Sequence, residues 1–175
     1  LVTGVKTGIS NMPTGVRGAG AAISPNGKIF VMGGDDGSGS TNLNQIYDIN
    51  NDSWYLGEVL PYSGWQIEVV YTSIGVVTIG GNSDGAVDFV CVYQEYLGWD
   101  DWKSLESLPT PTFGGSAFFI SPYVWYVGGL IDAVTPSGKA YRFNTNAYGW
   151  EEMNPLPTPL GCSAGVVGPD GLMYV

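Results

Sequence analysis

The sequence predicts an all-β protein built from repeated four-stranded antiparallel sheets, and three observations in its 175 residues predict it. An apolar run ends in a glycine pair three times: "KIFVMGGDD" at 28–36, "VVTIGGNSD" at 76–84 and "VWYVGGLID" at 124–132. Met12–Pro13, Leu60–Pro61, Leu108–Pro109 and Leu156–Pro157 follow one another at a spacing of 48 residues. Trp54, Trp102 and Trp150 keep that spacing, and Tyr47, Tyr93 and Tyr141 stand between glycines and tryptophan. A fixed period of this length is the signature of a repeat architecture.

Each unit resolves into four short strands. In the first, "GAGAAIS" (18–24) is strand one, and "PNG" (25–27) has the chemistry of a tight turn. Strand two, "KIFVMGG" (28–34), is apolar on both faces, as in a sheet packed on both sides. A polar loop at 35–42 leads to strand three, "LNQIYDI" (43–49); "NNDS" (50–53) then turns the chain into strand four at Trp54. Four-stranded units stacked radially are the blades of a β-propeller. Full blades are expected at 13–60, 61–108 and 109–156, the end of a preceding blade at 1–12 and the start of a further one at 157–175. A closed propeller holds about 4–8 blades. The segment is therefore expected to form an incomplete ring within a longer polypeptide, with pairing of copies as the alternative.

The order of features resembles the kelch family: a double glycine after a hydrophobic strand, a Tyr-Asp step in "IYDINNDSW" (46–54), then Trp, then Leu-Pro. The second and third units depart from it, since Tyr93 and Tyr141 precede Gln94 and Arg142 instead of an acid. The resemblance implies a kelch-type propeller in which the Trp and Tyr rings pack around Gly33–Gly34, Gly80–Gly81 and Gly128–Gly129. The repeated glycines, tyrosines and tryptophans are thus read as structural.

Composition narrows the function. The formal net charge is −10 with only six Lys and Arg, so the clustered cations that a phosphate backbone requires are missing and nucleic acid is excluded. The apolar run at 117–131 is too short to span a bilayer and is broken by Pro122 and Gly128–Gly129, so no membrane insertion is expected. Cys91 and Cys162 make neither a disulfide framework nor a zinc site, and no metal or other cofactor is expected. The copper oxidases that share kelch-like blades use histidine ligands, and this chain has no histidine. No nucleophile elbow, phosphate loop or placed acid–base pair appears, so the segment is read as non-catalytic.

Candidate binding residues come from the register. The loops after strands two and four open on one face of the disc, where Asp36, Asp84 and Asp132 coincide. They read either as a carboxylate set attracting a basic partner or as turn residues bonding their own backbone. Arg17, Trp65 and Phe113 also coincide, with Gly161 as the fourth and Tyr62 nearby. A position that varies within a repeating frame of Pro and Gly suits recognition from a rigid scaffold; the alternative is that these aromatics pack the loops. Asn51 heads a glycosylation sequon, "NDS", in a turn.

The expected function is a scaffold binding a protein partner through this loop face. An extracellular adhesive module that binds glycans or its own copies is the alternative, and low charge with many Gly, Tyr, Asn and Ser leans towards secretion. The remaining alternative is part of a propeller enzyme whose catalytic residues lie outside the segment.

Overall fold

A computed structural model describes residues 8–96 and 99–175. The chain runs through three four-stranded antiparallel meanders and a two-stranded hairpin. The first sheet holds β1 (Gly20–Ile23), β2 (Lys28–Met32), β3 (Asn44–Asp48) and β4 (Ser53–Leu56). The second holds β5 (Glu68–Thr72), β6 (Gly75–Ile79), β7 (Val90–Tyr96) and β8 (Trp99–Ser104). The third holds β9 (Ser116–Ile120), β10 (Tyr123–Val127), β11 (Ala140–Asn144) and β12 (Gly149–Glu152), and β13 (Val166–Val167) pairs with β14 (Met173–Tyr174). Strand order within each sheet follows the chain, and no sheet closes a ring among the described residues.

The first strands face one another, β1 beside β5 and β5 beside β9, so they line the inner edge of the stack. The core lies between sheets. Phe30, Met32, Ile46, Leu60, Ile67, Val69, Val76 and Tyr93 fill the first interface, and Val77, Ile79, Val90, Val92, Leu108, Val124, Tyr126, Tyr141 and Phe143 the second. Leu60 and Leu108, the leucines of two Leu-Pro steps, are 1% and 2% exposed. Their amides reach back to the strand-two-to-three loop, Leu60 N to Asn42 O at 2.9 Å and Leu108 N to Asp88 O at 2.8 Å. The proline that follows lacks an N–H and does not compete for such an acceptor.

The glycine pairs serve a purpose different from the one the resemblance implies. All six have positive φ, between 61° and 115°. The second glycine of each pair donates its N–H to the next sheet: Gly34 to Gly64 O at 2.8 Å, Gly81 to Thr112 O at 3.0 Å, Gly129 to Leu160 O at 2.8 Å. A Cβ on the first glycine would collide with that same carbonyl, 2.5 Å away for Gly33. What the missing side chain admits is therefore the neighbouring backbone, not the ring of Trp54, Trp102 or Trp150. The φ values and the close approach both demand glycine.

The tryptophans clamp the stack elsewhere. Each indole N–H reaches a carbonyl 44 residues upstream, at the end of the preceding unit: Trp54 to Ser10 at 2.8 Å, Trp102 to Glu58 at 3.0 Å, Trp150 to Glu106 at 2.8 Å. Trp54 lies 5.1 Å from Tyr47 and Trp102 5.2 Å from Tyr93 (ring centroids), each pair sitting opposite in the sheet register. In the third sheet Trp150 sits opposite Phe143 instead, at 5.3 Å, and Tyr141 is 6.3 Å away.

Candidate functional site on the loop face

Above each β1–β2 type hairpin the ladder continues by one bridge: Arg17 with Asp35, Trp65 with Asn82, Phe113 with Leu130. The three expected recognition residues therefore share one backbone environment, and their side chains diverge from it. Arg17 projects outward, its side chain 79% exposed, and pairs with Asp35 at 2.8 Å. That pairing holds the Asp35 carboxyl below its usual range, through the Arg17 hydrogen bond first and the Gly37 amide next. Trp65 is half-buried, its ring edge lying over Gly18 of the preceding sheet. Phe113 is only 4% exposed and lies beneath the face. Tyr62 is also half-buried; its hydroxyl donates to Gly80 O at 3.1 Å and its ring lies 5.0 Å from Phe89. Burial pushes its phenol well above the usual range.

The acidic positions are exposed, but two of them spend their oxygens locally. Asp36 accepts from the Ser38 hydroxyl at 2.6 Å and the Ser38 amide at 2.8 Å, which lowers its pKa in that order of causes. Asp132 accepts from the amides of Val134 and Thr135 at 2.9 and 2.7 Å and from the Thr135 hydroxyl at 2.9 Å, with the same effect. These are turn-forming aspartates. Asp84 adopts φ 59° in its loop. On the opposite face Asn51 is exposed, and its amide donates to Asp48 at 2.7 Å.

Sequence reasoning passed over one further register. Gly18, Gln66, Gly114 and Cys162, again 48 residues apart, all adopt φ between 50° and 61°. They are tied in series around the inner edge: Gln66 N to Gly18 O at 2.6 Å, Gly114 N to Gln66 O at 3.1 Å, Ser163 N to Gly114 O at 3.2 Å. Two glycines in four equivalent positions are the signal that could have exposed it. A cavity of about 360 Å³ opens here at the inner edge beneath the loop face. A larger cleft, about 740 Å³, opens on the opposite face between the first two sheets. There Lys103 donates to Gln94 at 3.0 Å and Gln94 to Ile74 O at 2.8 Å, so polar groups lining it satisfy one another.

Consecutive four-stranded meanders with their first strands innermost define the class, propeller blades. The Kelch motif model matches residues 17–58. Over 159 residues the chain is 26% identical to Kelch repeat protein M-T8 of Myxoma virus (strain Lausanne), covering 89% of this chain and 31% of that protein. Residues 17–58 thus carry a kelch motif, and the consecutive four-stranded sheets are of the kelch-blade type. The chain spans about a third of the length of that relative. Kelch-repeat domains are typically non-catalytic scaffolds that mediate protein–protein interaction. Among the described residues no group of three or more His, Cys, Asp and Glu could hold a metal ion.

Proposed function

We propose that this segment is a protein-binding scaffold whose loop face carries the contacts. The observation that supports it is the bridge position of Arg17 and Trp65: one backbone geometry, repeated sheet after sheet, displays an outward guanidinium in one unit and an indole in the next. Arg and Trp are the residue types that dominate binding energy at interfaces. Here they stand on a frame held by backbone hydrogen bonds, so little entropy is lost when a partner docks. Phe113 supports the face from beneath, and Asp36 and Asp132 hold its loops in shape, while Asp84 adds an exposed negative charge. The charge of −10 favours a partner with a basic surface.

The test is a joint substitution, Arg17→Ala with Trp65→Ala, compared with Phe113→Ala. The joint variant is expected to lower partner affinity at least about tenfold, as loss of two anchors does. Its melting temperature should stay within a few degrees of the parent. Phe113→Ala should melt earlier by the cost of a core cavity, about 3–5 kcal/mol. Unchanged affinity in the joint variant would remove the loop face from the interaction.

A further inference from the structure

The cavity at the inner edge has unbalanced chemistry. It is lined by Gln66, Glu68, Cys162 and Ser163 among small and aliphatic residues, and among the described residues no lysine or arginine lines it. Gln66 donates its Nε2 to Cys162 Sγ at 3.2 Å, two sheets away. Its Oε1 is shielded from solvent and accepts no hydrogen bond among the described residues. The Ser163 hydroxyl is engaged with Ser116 Oγ at 3.0 Å. What remains unsatisfied is the amide oxygen of Gln66, an acceptor, with the Glu68 carboxyl lining the same cavity. A buried polar atom without a partner requires an explanation.

The backbone repeats the point. Gln66 and Cys162 hold φ 51° and 52° where the equivalent residues are Gly18 and Gly114. A side chain in the left-handed region is strained, and such strain gathers at ligand clamps. The two strained residues are also the two whose side chains meet across Gly114.

We propose that Gln66, Glu68 and Cys162 form a subsite for an N–H-bearing cation, the ammonium or guanidinium tip of a lysine or arginine side chain carried by the partner. The terminal amide torsion of glutamine is soft, so Nε2 releases Cys162 and Oε1 turns into the cavity as the cation enters. The carboxylate of Glu68 supplies the charge, and the donor meets both acceptors at once, the stronger class of hydrogen bond. The partner as source of the cation rests on the loop-face reading. The subsite itself does not, because a free amine would occupy it equally.

Cys162 is exposed and Cys91 buried, which gives the cavity its own reporter. The rate of Cys162 alkylation by iodoacetamide at pH 8 is to be measured in butylammonium and methylguanidinium, against tetramethylammonium, sodium and acetate at equal ionic strength. Butylammonium and methylguanidinium are expected to slow the reaction about twofold at concentrations in the tens of millimolar, the affinity range of so small a ligand. Tetramethylammonium, a cation without N–H, should leave it unchanged, as should sodium and acetate. Glu68→Gln and Gln66→Gly should each abolish the slowing, and Gln66→Gly should melt no earlier than the parent because the strain is relieved. Equal rates in butylammonium and tetramethylammonium, slowing by acetate, or slowing that survives both substitutions would overturn the subsite. Amine protection without any effect of Glu68→Gln on partner capture would keep the subsite and remove the partner as its ligand; loss of loop-face binding with protection intact would remove only the loop-face reading.

Discussion

Gly33 and Gly37 lie four residues apart, both with positive φ, and do different things. A Cβ on Gly33 would meet Gly64 O, whereas nothing lies within 4 Å of one on Gly37. Gly37→Ala is therefore expected to cost only the left-handed backbone term, about 1–2 kcal/mol. Gly33→Ala adds a clash between sheets and should cost about 2–5 kcal/mol in chemical denaturation. Equal costs would show that the sheets yield at this contact. Glu68 carries the clearest pH dependence. Burial pushes its carboxyl up to about 7, against a smaller lowering by the Ala117 amide. The folded state thus favours the protonated acid; the stability from this group is fully present below about 4.5, the unfolded value, and is lost as pH rises through 7. Glu68→Gln should match the parent near pH 4.5 and exceed it by about 1–3 kcal/mol at pH 8. The Gly-Gly steps were plain in the sequence. Glu68 was not, because only the approach of β9 makes a strand-one carboxyl a buried one.

At the scale of the element, the third and fourth strands show how one spacing hides two geometries. Nine residues separate Tyr93 from Trp102 and Tyr141 from Trp150. The first pair sits opposite in the ladder; in the second, the turn Thr145–Tyr148 shifts the register so that Phe143 takes the tryptophan. Tryptophan's indole N–H is the invariant, since each reaches the end of the preceding unit. Trp102→Phe should accordingly cost about 0.5–1.5 kcal/mol, the net value of one hydrogen bond, and Trp102→Ala about 3–5 kcal/mol. A Trp102→Phe loss near zero would show that the indole acts by packing alone. Likewise the register aligned Asp36 and Asp132, but only the loop geometry showed their oxygens committed to their own turns.

For the whole molecule, stability resides between sheets more than within them. Leu60 and Leu108, buried at successive interfaces, should each cost about 2–5 kcal/mol on truncation to Ala, and the two losses should add because the sites occupy separate clusters. Strong non-additivity in denaturant would show that the interfaces fold as a single unit. The charge of −10 keeps the surface self-repelling at neutral pH, and solubility should fall to a minimum near the isoelectric point of about 4.1.

The sequence by itself determined the repeat, the strand count per unit and the resemblance to kelch blades, because a 48-residue period in Gly-Gly, Trp and Leu-Pro needs no partner to be read. Only the tertiary structure decided what those residues touch. Sequence spacing records position along one chain. It does not record the angle at which a side chain leaves it or what the neighbouring sheet brings to meet it. Hence Arg17 emerges on the surface and Phe113 vanishes under it from the same register, and Gln66 finds Cys162 across 96 residues.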